Sequence, residues 1–364
     1  MNNRIYISLL ATIICISVCI GCNKNEPESI TADEIVFSPG AEVRATELTT
    51  LNLENIGVFA TIEENGNEFN SNNAVLKNFM DNIKVAQSSE GWSATPKHYW
   101  PSNSETKLSF FAYAPYNEFN QEILVPGTND WSNGKTLEIN FSPKQNPYNQ
   151  VDLCVAKAVL DQSPPAYGQG AAPLIELNFK HTLSWISFEA NYTGDIPDGC
   201  YLRIDEISLR NIIDENTLVY NSQEENFFSW KSLENTENKG NYTLSIYGGT
   251  LGDTPLCHMS ENKFTDIATA TGYLFLLPQV INPPNNGTPS MIDVTFSYVK
   301  NDNKNTVIAQ FYISKKMPHS EWFVNKRIKY QMTLDITSAS LINITPAIVD
   351  WIESGNIHPD TEIQ

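Results

Sequence analysis

From Ile35 onward the apolar residues of this chain recur with a period of two, an alternation that leaves little room for anything except β-structure. Leu137, Ile139 and Phe141 alternate with Glu138 and Asn140; Ile292, Val294, Phe296 and Tyr298 alternate with Asp293, Thr295 and Ser297. Ile328, Tyr330, Met332, Leu334 and Ile336 do the same against Lys329, Gln331, Thr333 and Asp335. Successive side chains of a strand point to opposite faces, so each run has one dry and one wet face, as antiparallel sandwich strands require. Residues 108–114 and 273–277 are apolar on both faces and are closed soon after by proline, which marks them as central strands. In residues 183–188 the apolar phase switches between Trp185 and Ile186, the pattern of a bulge. No stretch shows a long helical period; residues 74–85 read as one short helix or an irregular strand.

Pro126-Gly127, Asn133-Gly134, Thr193-Gly194 and the run 283–287 supply turns. The polar, Gly/Pro-containing stretch 191–199 lies near the middle of the β-rich region. About seven strands fall on either side of it, enough for a sandwich each. The expected fold is all-β, with two antiparallel β-sandwich domains in tandem over residues 35–197 and 198–364.

The N-terminus speaks to the compartment. Arg4 precedes an apolar run over residues 5–20, too short for an ordinary spanning helix and placed like a signal peptide, expected over residues 1–21. The run closes on Cys19-Ile20-Gly21-Cys22, which looks like a bacterial lipobox, with Cys19 where leucine is usual. Cys22 would then carry the lipid, and residues 22–34, polar at their start, would form a tether. Each buried acyl CH₂ is worth about 0.8 kcal/mol, so two or more chains hold stably. A formal net charge of -19 repels phosphate backbones and argues against a nucleic-acid partner.

Little catalytic chemistry is visible. Ser104-Glu105-Thr106-Lys107 matches S-x-x-K but sits in a polar turn without its companion motifs. Phosphate-binding glycine loops, G-x-S-x-G and H-E-x-x-H are missing, and His98, His181, His258, His319 and His358 do not fall at metal-ligand spacing. His181 reads as a strand residue making a structural hydrogen bond. Residues 301–305 lack the glycine and closing glutamate of a calcium loop and read as a hairpin turn. Cys154, Cys200 and Cys257 are an odd, widely spaced set, read as small hydrophobes or at most one bridge. Trp92, Tyr99, Trp100, Trp131 and Trp230 could stack on sugars, but read first as packing residues. The expectation is a non-enzyme without metal or cofactor.

Several local strings occur in order: Ile35-Val36-Phe37-Ser38, Arg44-Ala45-Thr46 ahead of Ile56-Gly57-Val58-Phe59-Ala60, Trp92 with Tyr99-Trp100-Pro101, and residues 108–115. Phe179-Lys180-His181-Thr182-Leu183-Ser184 follows, then residues 274–279 ending Leu-Leu-Pro-Gln, residues 322–334, and Val349-Asp350-Trp351. Together these strings resemble the fimbrillin family of pilus subunits. The resemblance implies two transthyretin-like domains, an outer-membrane lipoprotein exposed on the cell surface or built into a fimbrium, and assembly with other pilus subunits. It also implies a protease cut between Arg44 and Ala45 that removes the strand bearing Ile35, Val36 and Phe37. The emptied groove would accept a neighbour's strand, with the donor expected in the segment of Leu341, Ile342 and Ile344. That segment could instead complete its own domain, and Arg44 could be an ordinary loop residue. The alternative from another class is a monomeric surface lipoprotein that binds glycans for nutrient capture; a host or glycan ligand is compatible with either reading.

Overall fold

In the computed structural model the described residues are 33–41, 53–89, 91–116, 123–124, 136–165, 172–221, 226–232, 239–245, 255–267, 274–284 and 287–350. Of the two units into which the chain divides, Met1–Ala32 contains none of them, and Asp33–Gln364 contains them all. The strands of the first half are β1 (Val36–Ala41), β2 (Asn55–Glu63), β3 (Lys77–Ser88), β4 (Gly91–Thr95), β5 (Lys107–Ala114), β6 (Ile123–Leu124), β7 (Thr136–Phe141), β8 (Cys154–Ala156), β9 (Val159–Gln162) and β10 (Ile175–His181). Then come β11 (Ser184–Thr193), β12 (Cys200–Ile213), β13 (Asn216–Asn221), β14 (Phe228–Trp230), β15 (Lys239–Ser245), β16 (Cys257–His258), β17 (Thr265–Asp266) and β18 (Leu274–Leu276). The last are β19 (Val280–Ile281), β20 (Met291–Lys300), β21 (Val307–Lys316), β22 (Ser320–Glu321), β23 (Lys326–Asp335) and β24 (Ser340–Asp350). The all-β reading holds; the only helical pieces among the described residues are two single 3-10 turns. Residues 74–85 resolve to the irregular strand of the two options, since β3 pairs with β2 through register shifts.

The first half closes on itself. Its ladders run β2-β3-β4-β1-β10-β8-β5, and β5 returns to β2, so the circuit is a small barrel. A closed ladder removes the exposed edges that invite aggregation. Alternate residues fill its interior: Ile35 and Phe37 from β1 and its lead-in, Val58 and Ala60 from β2, Leu108, Phe110 and Ala112 from β5, and Ile175, Leu177 and Phe179 from β10. The outward residues Phe59, Phe111, Tyr113 and Val155 are buried too, because the sheet β14-β13-β7-β6 covers them with Ile139, Phe141, Leu218 and Tyr220. Phe111 meets Tyr220 edge-on at 5.3 Å, and the Tyr220 hydroxyl donates to the Ala156 carbonyl. Both faces of β5 are therefore dry, and its place between β2 and β8 makes it the central strand its composition suggests.

Gly57 shows how closely β2 and β5 approach. A Cβ there would lie 2.1 Å from Tyr113 Cε1 and 2.5 Å from Cζ, while the Tyr113 hydroxyl is held by Asn82 Oδ1 at 2.9 Å. Tyr113 is fully buried and has nowhere to retreat. Gly57→Ala should destabilise the chain by about 1–3 kcal/mol, the range for overpacking a well-filled core, read as a lowered denaturant midpoint.

The second half is a sandwich. The sheet β16-β11-β23-β24 faces the sheet β15-β12-β20-β21 across one core, with Phe188, Ile328, Tyr330 and Met332 on one side and Ile204, Leu209, Val294 and Phe296 on the other. On the wet face Arg210 forms a two-pronged ion pair with Asp293 of the neighbouring strand.

Four expectations are corrected. The sheets are not purely antiparallel: β1 pairs with β10, and β11 with both β23 and β16, in parallel. The phase switch at Trp185 and Ile186 is not a bulge, because β11 keeps one register with β23 from Ser184 to Thr193. Trp185 instead packs in the apolar layer that the β14-β13-β7-β6 sheet covers, and Ile186 in the sandwich core, so both are buried without any slip. The described part of the apolar run 273–277, residues 274–277, is dry on both faces for the same reason, not because β18 is central; its only partner among the described residues is β11. The boundary expected at 197/198 falls between β11 and β12, whose inward residues share one core, so the passage from barrel to sandwich lies between His181 and Ser184. The division is incomplete even there, since β13 returns to pair with β7.

Candidate functional site

β1 occupies a slot in the barrel wall. On one side it runs parallel to β10, from Phe37 opposite Ile175 to Ala41 opposite Phe179. On the other it is antiparallel to β4, with Val36 opposite Ser93 and Phe37 opposite Trp92. The lead-in continues the second ladder: Ile35 N–H donates to the His98 carbonyl and Trp100 N–H to the Asp33 carbonyl, each at 2.9 Å. Lys97 Nζ closes on Glu34 Oε2 at 2.6 Å. Ile35, Phe37 and Pro39 point inward and are buried, whereas Val36 and Ser38 are half-buried on the other face. Phe37 stands edge-on to Phe110 at 5.9 Å, and Trp100 packs on the same ring at 6.2 Å.

Taking β1 away would leave two unpaired strand edges and an apolar trough shaped for alternating side chains, the arrangement that strand addition fills. Truncation should reveal which residues hold the strand. Phe37→Ala should cost the uncut chain about 3–5 kcal/mol, as for other buried phenylalanines. Val36→Ala, on the half-buried face, should cost about 1 kcal/mol or less, in line with substitutions outside a core. Denaturant unfolding of the two variants checks both.

The segment expected to act as donor lies at the opposite extreme of burial. β24 pairs antiparallel along β23, from Asp335 opposite Ser340 to Lys326 opposite Asp350, and so completes the sandwich sheet of its own chain as an edge strand. Ile344 is buried, but Ile348 and Val349 are 53% and 39% exposed. Pro346 interrupts the strand's run of donors, which sheets tolerate at edges. Leu341 and Ile342 lie in this strand, with their side chains outside the described residues. Among the described side chains of β24 only Ile344 is buried, so over residues 343–349 the ladder to β23 contributes more than packing does.

Cys22, Arg44 and Ala45 lie outside the described residues, Arg44 in the 42–52 segment that joins β1 to β2. Ser104 and Glu105 form the turn before β5 and Lys107 is the first residue of that strand, while Asp302 caps a hairpin turn between β20 and β21 by accepting Lys304 N–H at 3.0 Å. Trp92 and Trp100 belong to the barrel interior, Trp230 packs on Phe141 at 6.3 Å, Tyr99 is 47% exposed, and Trp131 lies outside the described residues. Cys154 is buried, Cys200 and Cys257 are partly buried, and all three are free thiols. Sequence reasoning named the strand in the slot but not the walls. Ile175, Leu177 and Phe179 alternate with Glu176 and Asn178 plainly enough to mark a strand, but not its partner.

A profile of fimbrillin-like proteins matches residues 44–351. The chain belongs to the fimbrillin-like family. A curated relative, the fimbrium subunit Fim1C of Phocaeicola vulgatus, is 25% identical over 195 residues. That alignment covers 50% of this chain and 50% of the relative, so the fimbrillin-like chain spans about half the length of the curated relative it matches. Its fold is that of a fimbrial protein from Bacteroides vulgatus: TM-score 0.62 at 18% identity, covering 87% of this chain and 99% of that one. A candidate cell adhesion protein from Bacteroides ovatus aligns more loosely, with TM-score 0.48, 18% identity and coverage of 88% and 98%. The matched span of the fimbrillin-like profile begins at Arg44, and so excludes β1.

Proposed function

We propose that this chain is a lipid-anchored fimbrial subunit of the outer-membrane surface that joins its neighbours by strand exchange after a cut between Arg44 and Ala45. The observation that carries the reading is β1 itself. It is an inserted wall strand, bonded on both sides, connected to the rest of the molecule through the segment that contains Arg44. Cleavage there would separate lipid, tether and β1 from everything that follows, and Ile35, Phe37 and Pro39 would vacate the trough together. The lightly packed β24 is suited to leave its own sheet and enter a neighbour's slot, where main-chain bonds set the register and alternate apolar residues fill the space. Membership of the fimbrillin-like family supports an adhesive or structural role over an enzymatic one.

Mass spectrometry of the mature N-terminus, on protein taken from intact cells, tests this directly. A start at Ala45 is the expected result in fibres. An acylated Cys22 on every polymerised chain would overturn the exchange mechanism.

A further inference from the structure

Asp152, Cys154 and His181 meet where β8 leaves the β7–β8 connection and β10 ends. Asp152 and Cys154 are two residues apart on an extended segment and so share a face. Cys154 is the register partner of His181 across the β8–β10 ladder. The Leu153 carbonyl fixes that register by accepting both the Thr182 N–H at 3.0 Å and its hydroxyl at 2.7 Å. All three residues are buried, 5%, 1% and 1% exposed, and one ligand atom from each lies within 4.8 Å of the others. His181 Nδ1 is 2.5 Å from Asp152 Oδ2 and 3.4 Å from Cys154 Sγ. Asp152 Oδ1 accepts no hydrogen bond among the described residues. A buried carboxylate normally finds several donors, since leaving an oxygen bare costs the full desolvation of that group.

We propose that this cluster is a structural site for a divalent, thiolate-tolerant metal ion of the zinc type, held by Asp152, Cys154 and His181. One nitrogen, one sulfur and one carboxylate oxygen is a donor set that such ions take, with a main-chain carbonyl or a water left to complete four-coordination. Bond lengths of about 2.0–2.3 Å imply ligand-to-ligand edges of about 3.3–3.5 Å in a tetrahedron. The Sγ to Nδ1 distance already fits, and the carboxylate must swing away from the imidazole by about 0.8 Å to admit the ion. Binding displaces the thiol proton to solvent and leaves a thiolate–metal bond. Because the site is enclosed, the ion enters while the barrel is forming rather than afterwards. It would tie β8 to the end of β10, the strand that also walls the β1 slot, but its binding does not depend on strand exchange.

The test is to unfold the full-length chain in denaturant with chelator and refold it in detergent with one equivalent of Zn²⁺ or Co²⁺. After exhaustive dialysis, elemental analysis should find one metal per chain, and the thermal midpoint should lie at least about 5 °C above the metal-free protein. The Co²⁺ form should show a near-ultraviolet thiolate-to-cobalt band. Cys154→Ser should lose the band and Cys200→Ser should keep it. Should the Cys154 variant misfold, the wild-type result still decides. Refolded wild type that retains no metal, or a band that survives in a folded Cys154→Ser, would overturn the proposal and leave a buried Asp152–His181 contact.

Discussion

Arg44→Ala should leave a full-length, lipid-anchored chain on the cell surface and no fibre. The reason is competitive. While β1 remains tethered a short segment away from its slot, it competes with any incoming strand at an effective concentration in the millimolar range or above. Ile35 and Phe37 reinforce it, since burial of each large apolar side chain is worth about 1.5–3 kcal/mol. A neighbour's strand would have to displace both advantages at once. Polymer, read as a ladder of detergent-resistant bands and by electron microscopy, should fall at least about 100-fold, the scale on which linkage alone raises avidity. Placing a site for an added protease within residues 42–52 and then cutting should restore it. Fibres of normal length built from uncut Arg44→Ala chains would sink the mechanism.

Deletion of every residue after Ser340 should yield a chain that folds, is cut and accepts a strand, yet cannot donate one. Among the described side chains of β24, Ile344 is the buried apolar one, so the sandwich core loses about 1.5–3 kcal/mol of burial. The unfolding midpoint should drop while the transition stays cooperative. Mixed with intact subunits, the truncated chain should stop growth where it adds, and mean fibre length should shorten in proportion to its share. A peptide of residues 340–364 should bind the uncut truncated chain once, at the β23 edge that the deletion exposes, and the cut truncated chain at a second site, the emptied slot. Ordinary polymer from the truncation alone would remove β24 as the donor.

How much of this was legible in the sequence depended on whether the decisive neighbour was local. The alternation at Ile292 to Tyr298 and at Ile328 to Leu334 foretold β20 and β23, because a strand with one dry face states its own burial. Trp185 and Ile186 misled for an instructive reason: two adjacent buried residues look like a slip when only one core is imagined, and here each faces a different core. The same second core hid the passage from barrel to sandwich, since the turn at 191–199 looks like a linker but connects strands that pack together. The slot was half legible. Ile35, Val36 and Phe37 stood out, while the parallel partner Ile175–His181 is set by closure of the ladder and carries no local mark. Cys154 and His181 were read singly, as one of three small hydrophobes or bridge candidates and as a strand histidine, and Asp152 was not singled out, because only the β8–β10 register brings the three together.

The parallel pairing of β1 with β10 also sets the reaction order of folding. The first strand to emerge can be placed only after Phe179 has followed it, so closing the uncut barrel is a long-range, first-order step of the kind that takes milliseconds to seconds. A chain already severed at Arg44 has no strand of its own to finish the ring. Under the proposed exchange its completion would be second order, dependent on meeting another molecule, and the cut would convert a folding reaction that ignores protein concentration into one that requires it.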